Sequence, residues 1–286
     1  MFGECHAHIF MNGYHYLRAV KTHEKGPDEQ VVRAHLKAYQ DAGVKFVRDG
    51  GDRFGVSLLA RSLAPEYGIT YLTPGFAIHR EGFYGKVVGE GYSSFKEYET
   101  LIQKLKANGG DFVKIMTTGI LDFGSDGHVT GIPLPKKEVS VLVQIAHEAG
   151  FRVMAHTNTA QAVIDAAEAG VDSIEHGNYQ NPESIQCMKE YGVVWVPTVV
   201  TVKNLIGCGR FPDEMNRVWE TQKQGLRMGW HKRVRMALGS DAGAFMVPHG
   251  IGIQDEYRAF CKVLGASEEL TGHLKKGEAL IQAFHR

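Results

Sequence analysis

Short apolar, β-rich runs alternate along the chain with longer segments of helical period, the pattern of a parallel sheet whose strands are joined by helical crossovers. The spacing predicts strands at Phe2–His6, Lys45–Arg48, Thr70–Leu72, Phe112–Met116, Arg152–His156, Asp172–His176, Val193–Val196 and Met236–Gly239. Eight parallel strands are the number that closes a barrel. Helices are expected at Glu29–Ala42, with Val32, Leu36 and Tyr39 along one face, and at Phe95–Ala107, Lys137–Ala149, Thr159–Ala169 and Pro182–Tyr191. Four of these stop at Gly43, Gly150, Gly170 and Gly192, the residue type that best takes the left-handed turn ending a helix. The expected architecture is α/β, a single-domain (β/α)8 TIM barrel over residues 1–286.

Five long irregular segments each follow a strand: Ile9–Asp28, Pro74–Ser94, Thr117–Pro135, Thr198–Asp213 and Ala242–Gln254. In such a barrel they gather at one rim, the face on which catalytic sites are built. The glycine-rich stretch from Gly85 to Gly91 has no strand directly before it and no P-loop Lys-Ser/Thr, which argues against a phosphate cradle.

Composition narrows the class of partner. Lys plus Arg and Asp plus Glu both total 32, so no net field favours nucleic acid or an anionic membrane, and the expected partner is a small molecule. No apolar run reaches the roughly 18 residues of a membrane span, and the N-terminus lacks a basic region followed by an apolar stretch. A cytoplasmic location is therefore expected, and a homo-oligomer is compatible with the sequence. Cys5, Cys187, Cys208 and Cys261 show no CxxC spacing, so reduced thiols are expected rather than a zinc knuckle or a disulfide framework.

The chain has 14 histidines, about twice the number that average usage would give. In Glu4-Cys5-His6-Ala7-His8 the strand period puts His6 and His8 on one face, where two imidazoles make half of a metal site. Lys114, His156, His176 and Asp241 each end another predicted strand. Singly, a buried histidine can be a hydrogen-bonded core residue and an aspartate a helix cap. Together, that alternative requires the same coincidence at several strand ends. By alternation Glu175 is expected to point outward from the barrel, and Cys5 to be buried and not a ligand.

This set resembles the amidohydrolase superfamily: an HxH on strand one, Lys on strand four, His on strands five and six, and Asp on strand eight. The phrases Val44-Lys-Phe-Val-Arg48-Asp49-Gly50-Gly51, Ile174-Glu-His176-Gly177 and Gly239-Ser-Asp241-Ala-Gly243 resemble its imidazolonepropionase-related and prolidase-like branch. Members of that branch usually carry a β-sandwich built from both termini. Here the chain runs from the first barrel strand to Arg286, so a barrel without the sandwich is expected.

The resemblance implies two divalent metal ions, zinc first with manganese or iron as alternatives. His6, His8 and Asp241 would hold one, and His156 and His176 the other. Lys114 would bridge them as a CO2-derived carbamate, since an ammonium would repel cations and a carbamate offers two anionic oxygens. The implied reaction is hydrolysis of an amide-like bond in a dipeptide, an N-acyl amino acid or a cyclic amide by metal-activated hydroxide, with Asp241 as general acid/base. A phosphotriesterase-like or lactonase activity would use the same ligands, and a mononuclear deaminase would need only one metal. His79, Arg80, Tyr84 and Lys86, together with Tyr179 and His249, are candidates for contacting substrate, set against the reading that they belong to polar surface loops.

Overall fold

The computed structural model describes residues 1–124, 127–209 and 212–285. Among the described residues, ten strands lie in two hydrogen-bonded sets: β1 (Glu4–Ala7), β2 (Phe46–Asp49) and β3 (Thr70–Leu72) in one, and seven in the other. The second set follows the order β10 (Arg235–Met236), β9 (Val194–Val196), β8 (Ser173–His176), β7 (Val153–Thr157), β6 (Val113–Met116), β4 (Ala77–Arg80) and β5 (Gly89–Tyr92). Every pairing between named strands is parallel.

Two seams join the sets into a barrel. Beyond β10 the chain stays alongside β1, where Cys5 N donates to Leu238 O at 3.0 Å, Asp241 N to His6 O at 2.8 Å and His8 N to Ala242 O at 2.8 Å. At the other seam β3 pairs with β2, and after a bend at Thr73–Phe76 the chain continues as β4, which pairs with β6. One barrel stave is thus made of two strands, and there are eight staves.

The segment Pro74–Ser94, expected to be irregular, therefore holds β4 and β5. Its glycines explain how: a Cβ on Gly89 would fall 1.8 Å from Ala77 O, so only glycine lets β5 lie this close to β4. The strand-eight segment differs too. Its ladder covers only Arg235–Met236, and the extended backbone through Leu238 and Asp241 closes the barrel. Helices Tyr16–Thr22 and Val200–Lys203 lie within other segments expected to be irregular, and residues 125–126 and 210–211 of those segments lie outside the described ones.

Helices α2 (Glu29–Asp41), α5 (Lys136–Glu148), α6 (Ala160–Glu168) and α7 (Pro182–Glu190) begin and end close to expectation, and the four stop glycines all have positive φ. Two helices follow the last strand, Gly252–Leu264 and α11 (Glu268–Gln282). Among the described residues no helix is long and apolar enough to cross a membrane.

The end of α11 closes the floor of the barrel. Ile281 and Phe284 join Phe46, Leu72, Phe112 and Met154 in an apolar cluster separate from the larger outer core. The Phe284 ring lies 4.9 Å from the guanidinium carbon of Arg48, a buried cation over an aromatic face. Phe284→Ala is expected to cost about 3 kcal/mol, the usual range for emptying a packed phenylalanine site. Chemical denaturation should show this loss, and a change below about 1 kcal/mol would reject the plug.

Candidate metal centre

The six residues that the sequence offers as candidate ligands meet at the rim where the strands end. Ring centroids of His6 and His8 are 5.5 Å apart, His6 and His176 5.0 Å, and His156 and His176 4.6 Å. His6 Nε2 lies 3.7 Å and His8 Nε2 3.9 Å from Asp241 Oδ1. Those gaps are too long for hydrogen bonds and match the roughly 3–4 Å between ligands that share a cation at about 2.1 Å.

Each imidazole is held from behind. His6 Nδ1 is 2.7 Å from Glu175 Oε2, His8 Nδ1 3.0 Å from Gly51 O, and His176 Nδ1 2.6 Å from Thr198 Oγ1, which leaves Nε2 as the open nitrogen of all three. His156 is reversed: its Nε2 faces Gly119 O at 3.0 Å, leaving Nδ1. Outer partners of this kind fix ring orientation and tautomer in metal sites. Burial pushes His8 and His156 down to about 3, and His6 and His176 well below the ordinary histidine range, with the Lys114 charge adding to the effect in all four. All four are neutral at pH 7, the form that binds metal.

Three buried atoms in this cluster have no hydrogen-bond partner: His6 Nε2, Asp241 Oδ1 and Lys114 Nζ. Leaving them unpaired in a dry site is costly unless something binds there, and their donor types suit a divalent cation. Burial raises the Asp241 carboxyl to about 6 and lowers the Lys114 ammonium to about 8. The residues present therefore fit a metal centre.

Glu175 corrects the alternation argument. In β8 it pairs in register with His156, so it shares that residue's inward face. His176 also reaches the rim because its backbone turns at φ +65°, out of step with the pleat. Glu175 is fully buried and joins His6 to Arg48, whose guanidinium donates to Glu175 Oε1 at 2.8 Å, Ser173 Oγ at 2.8 Å and Cys5 O at 2.7 Å.

The phrase Arg48-Asp49-Gly50-Gly51 supplies the rest of this support. Asp49 accepts from Ile9 N at 2.7 Å, fixing the chain just after His8. A Cβ on Gly50 would sit 2.5 Å from the His8 ring, and Gly51 O holds that ring's far nitrogen. Sequence reasoning missed Glu175, Thr198 and Asn158. Asn158 lies two residues after His156, close to its Nε2 at 3.4 Å, and that spacing was the available signal.

A cavity of about 530 Å3 opens over the cluster, lined by His8, Lys114, His156, His176 and Asp241. Of the proposed substrate contacts, Tyr84 lines it, with its ring 5.2 Å from that of His156. The others do not. Arg80 turns away to Glu138 Oε2 at 2.9 Å, and His79 is buried against the carbonyl of Arg80. His249 is buried between Tyr39 OH at 3.0 Å and Met11 O at 2.8 Å, Tyr179 faces a small crevice beside Trp195, and Lys86 is exposed.

A family model described as "Amidohydrolase family" matches residues 3–263. An uncharacterized protein of Mycobacterium tuberculosis is 30% identical over 137 residues, which is 46% of this chain and 36% of that protein. The chain thus spans little more than a third of that relative. Among solved structures, a prolidase complexed with N-methylphosphonate-L-proline superposes with a TM-score of 0.79 at 21% identity, over 98% of this chain and 74% of that one. A Xaa-Pro dipeptidase with bound methionine gives 0.72 at 22%, over 97% and 75%. An Aspergillus niger ochratoxinase gives 0.74 at 17%, over 99% and 69%. At these identities the likeness is one of fold.

Glu175→Gln keeps the shape of the support and removes its charge. Metal affinity is expected to fall about 10–100-fold, and stability by about 3–5 kcal/mol as Arg48 loses its buried partner. Thr198→Val should weaken metal binding while costing only about 1 kcal/mol. Chelator competition and denaturation on both variants check this; equal effects on stability would reject the distinction.

Proposed function

Because the chain belongs to the amidohydrolase family, we propose that it is a metal-dependent hydrolase cleaving an amide-like bond at a two-metal centre. The observation that carries the reading is the set of unpaired buried atoms, His6 Nε2, Asp241 Oδ1 and Lys114 Nζ, with every histidine ring fixed from its far side. His6, His8 and Asp241 would hold one ion, His156 and His176 the second, with Lys114 as a bridging carbamate. His6, His8 and Asp241 already have ligand atoms within 4.8 Å of one another.

Bound there, the ions would lower the pKa of water and polarise the scissile carbonyl. The protein's own work is positioning and proton transfer. Asp241, at the cavity floor, takes the proton of the attacking water and passes it to the leaving nitrogen. The water oxygen bonds to the carbonyl carbon, the C–N bond breaks, and the products are an acid and an amine. The prolidase and the dipeptidase of the same fold support an amide-like substrate.

Protein prepared without chelators should carry more than one equivalent of zinc, manganese or iron per chain, and a value at or below one would favour a mononuclear reaction. Asp241→Asn should lower turnover by about 10²–10⁴-fold, the range for a lost general acid/base. Hydrolysis at the unaltered rate by that variant would reject Asp241 as the proton carrier.

A further inference from the structure

The metal set forms only the floor of the cavity, and its walls come from five separate rim segments. Met11 and Tyr16 follow β1, Val87 and Val88 precede β5, and Ile120, Leu121 and Phe123 follow β6. Val202 and Leu205 follow β9, and Ala244 and Phe245 lie beyond β10. Five independent segments therefore converge on one wall chemistry. Of the described lining residues, only Lys114 and Asp241 carry a formal charge, and both belong to the floor. The remaining polar lining is uncharged: Tyr84, Asn158, Asn178 and Thr201, besides Tyr16.

The two carboxamides are largely committed. Asn158 Oδ1 accepts from Asn178 Nδ2 at 2.9 Å, Asn158 Nδ2 donates to Gly119 O at 3.2 Å, and Asn178 Oδ1 accepts from Gln222 at 2.8 Å. Two of the cations near the site are committed elsewhere. Arg80 is bound to Glu138, and Arg48 lies beneath the floor with Glu175. A substrate carboxylate leaning on these walls would lose its water and meet no cation among the described lining residues above the floor. An apolar group would be desolvated at no such cost, and about 530 Å3 is room for a drug-sized molecule.

We propose that the site selects amide-like substrates whose groups flanking the scissile bond are uncharged and apolar, such as aryl or branched-alkyl amides, and discriminates against free dipeptides and N-acyl amino acids. The inference rests on the hydrolase reading for the bond cleaved and on the cavity walls for the selection.

Binding to metal-loaded full-length protein tests selection without turnover. The probes are 4-phenylbenzohydroxamic acid, whose hydroxamate seeks the metals, and the same molecule with a carboxylate on its distal ring. Calorimetry should show the uncharged probe binding at least about 30-fold more tightly, the penalty of an unpaired desolvated carboxylate. Leu205→Arg should then tighten the carboxylate probe at least about 10-fold, a gain that a misfolded variant could not produce. Equal or tighter binding of the carboxylate probe to the unaltered protein overturns the proposal. Turnover of matched anilides and N-acyl amino acids runs alongside. If neither is cleaved while the binding preference holds, the amide-hydrolysis reading falls and the selection stands.

Discussion

A fully buried carboxylate, Glu175, lies between a guanidinium and an imidazole on the inner face of the barrel, and the candidate metal centre depends on it. Removing Arg48 and Glu175 from water is expensive, and their attraction offsets that cost only because Ser173, Cys5 O and His6 occupy their remaining hydrogen-bonding positions. The result is directional. With His6 Nδ1–H donating to Glu175, the lone pair on Nε2 faces the open centre. Phe284 and Phe112 close the space below, so the guanidinium has little room to move away.

Much of this arrangement was legible in the sequence because strand ends and stop glycines are local signals. The six clustered residues could be found from their places at the ends of apolar runs, and the order of helices followed from period and caps. Glu175 was misread because strict alternation was extended through His176, whose positive φ breaks it. The strand at Gly89 was hidden by its glycines, which carry little β-propensity yet are required by the close approach of its backbone to Ala77. Loop side chains were the least readable. Arg80, His249 and Tyr84 looked equivalent as candidates, and only packing sends the first to Glu138, the second to Tyr39 and the third over His156.

The molecule divides its tasks between elements of different stiffness. Strands and the barrel interior carry the clustered candidate ligands and their supports, where backbone ladders on both sides limit movement. The rim segments carry the walls and can vary in side chain without disturbing the floor. One element bridges the two: Glu256 accepts from Val199 N at 3.0 Å and Val200 N at 2.9 Å, fixing the segment that holds both Thr198, behind His176, and the wall residue Leu205.

His176 and Asp241 reach the centre with φ of +65° and +59°, a region in which a histidine and an aspartate are strained by about 1–2 kcal/mol each. Glycine at either position would relax the backbone and delete a proposed ligand. Thermal ruggedness and ion capture therefore compete at the same two residues. Selecting this barrel for heat resistance alone would steer it toward an inert scaffold.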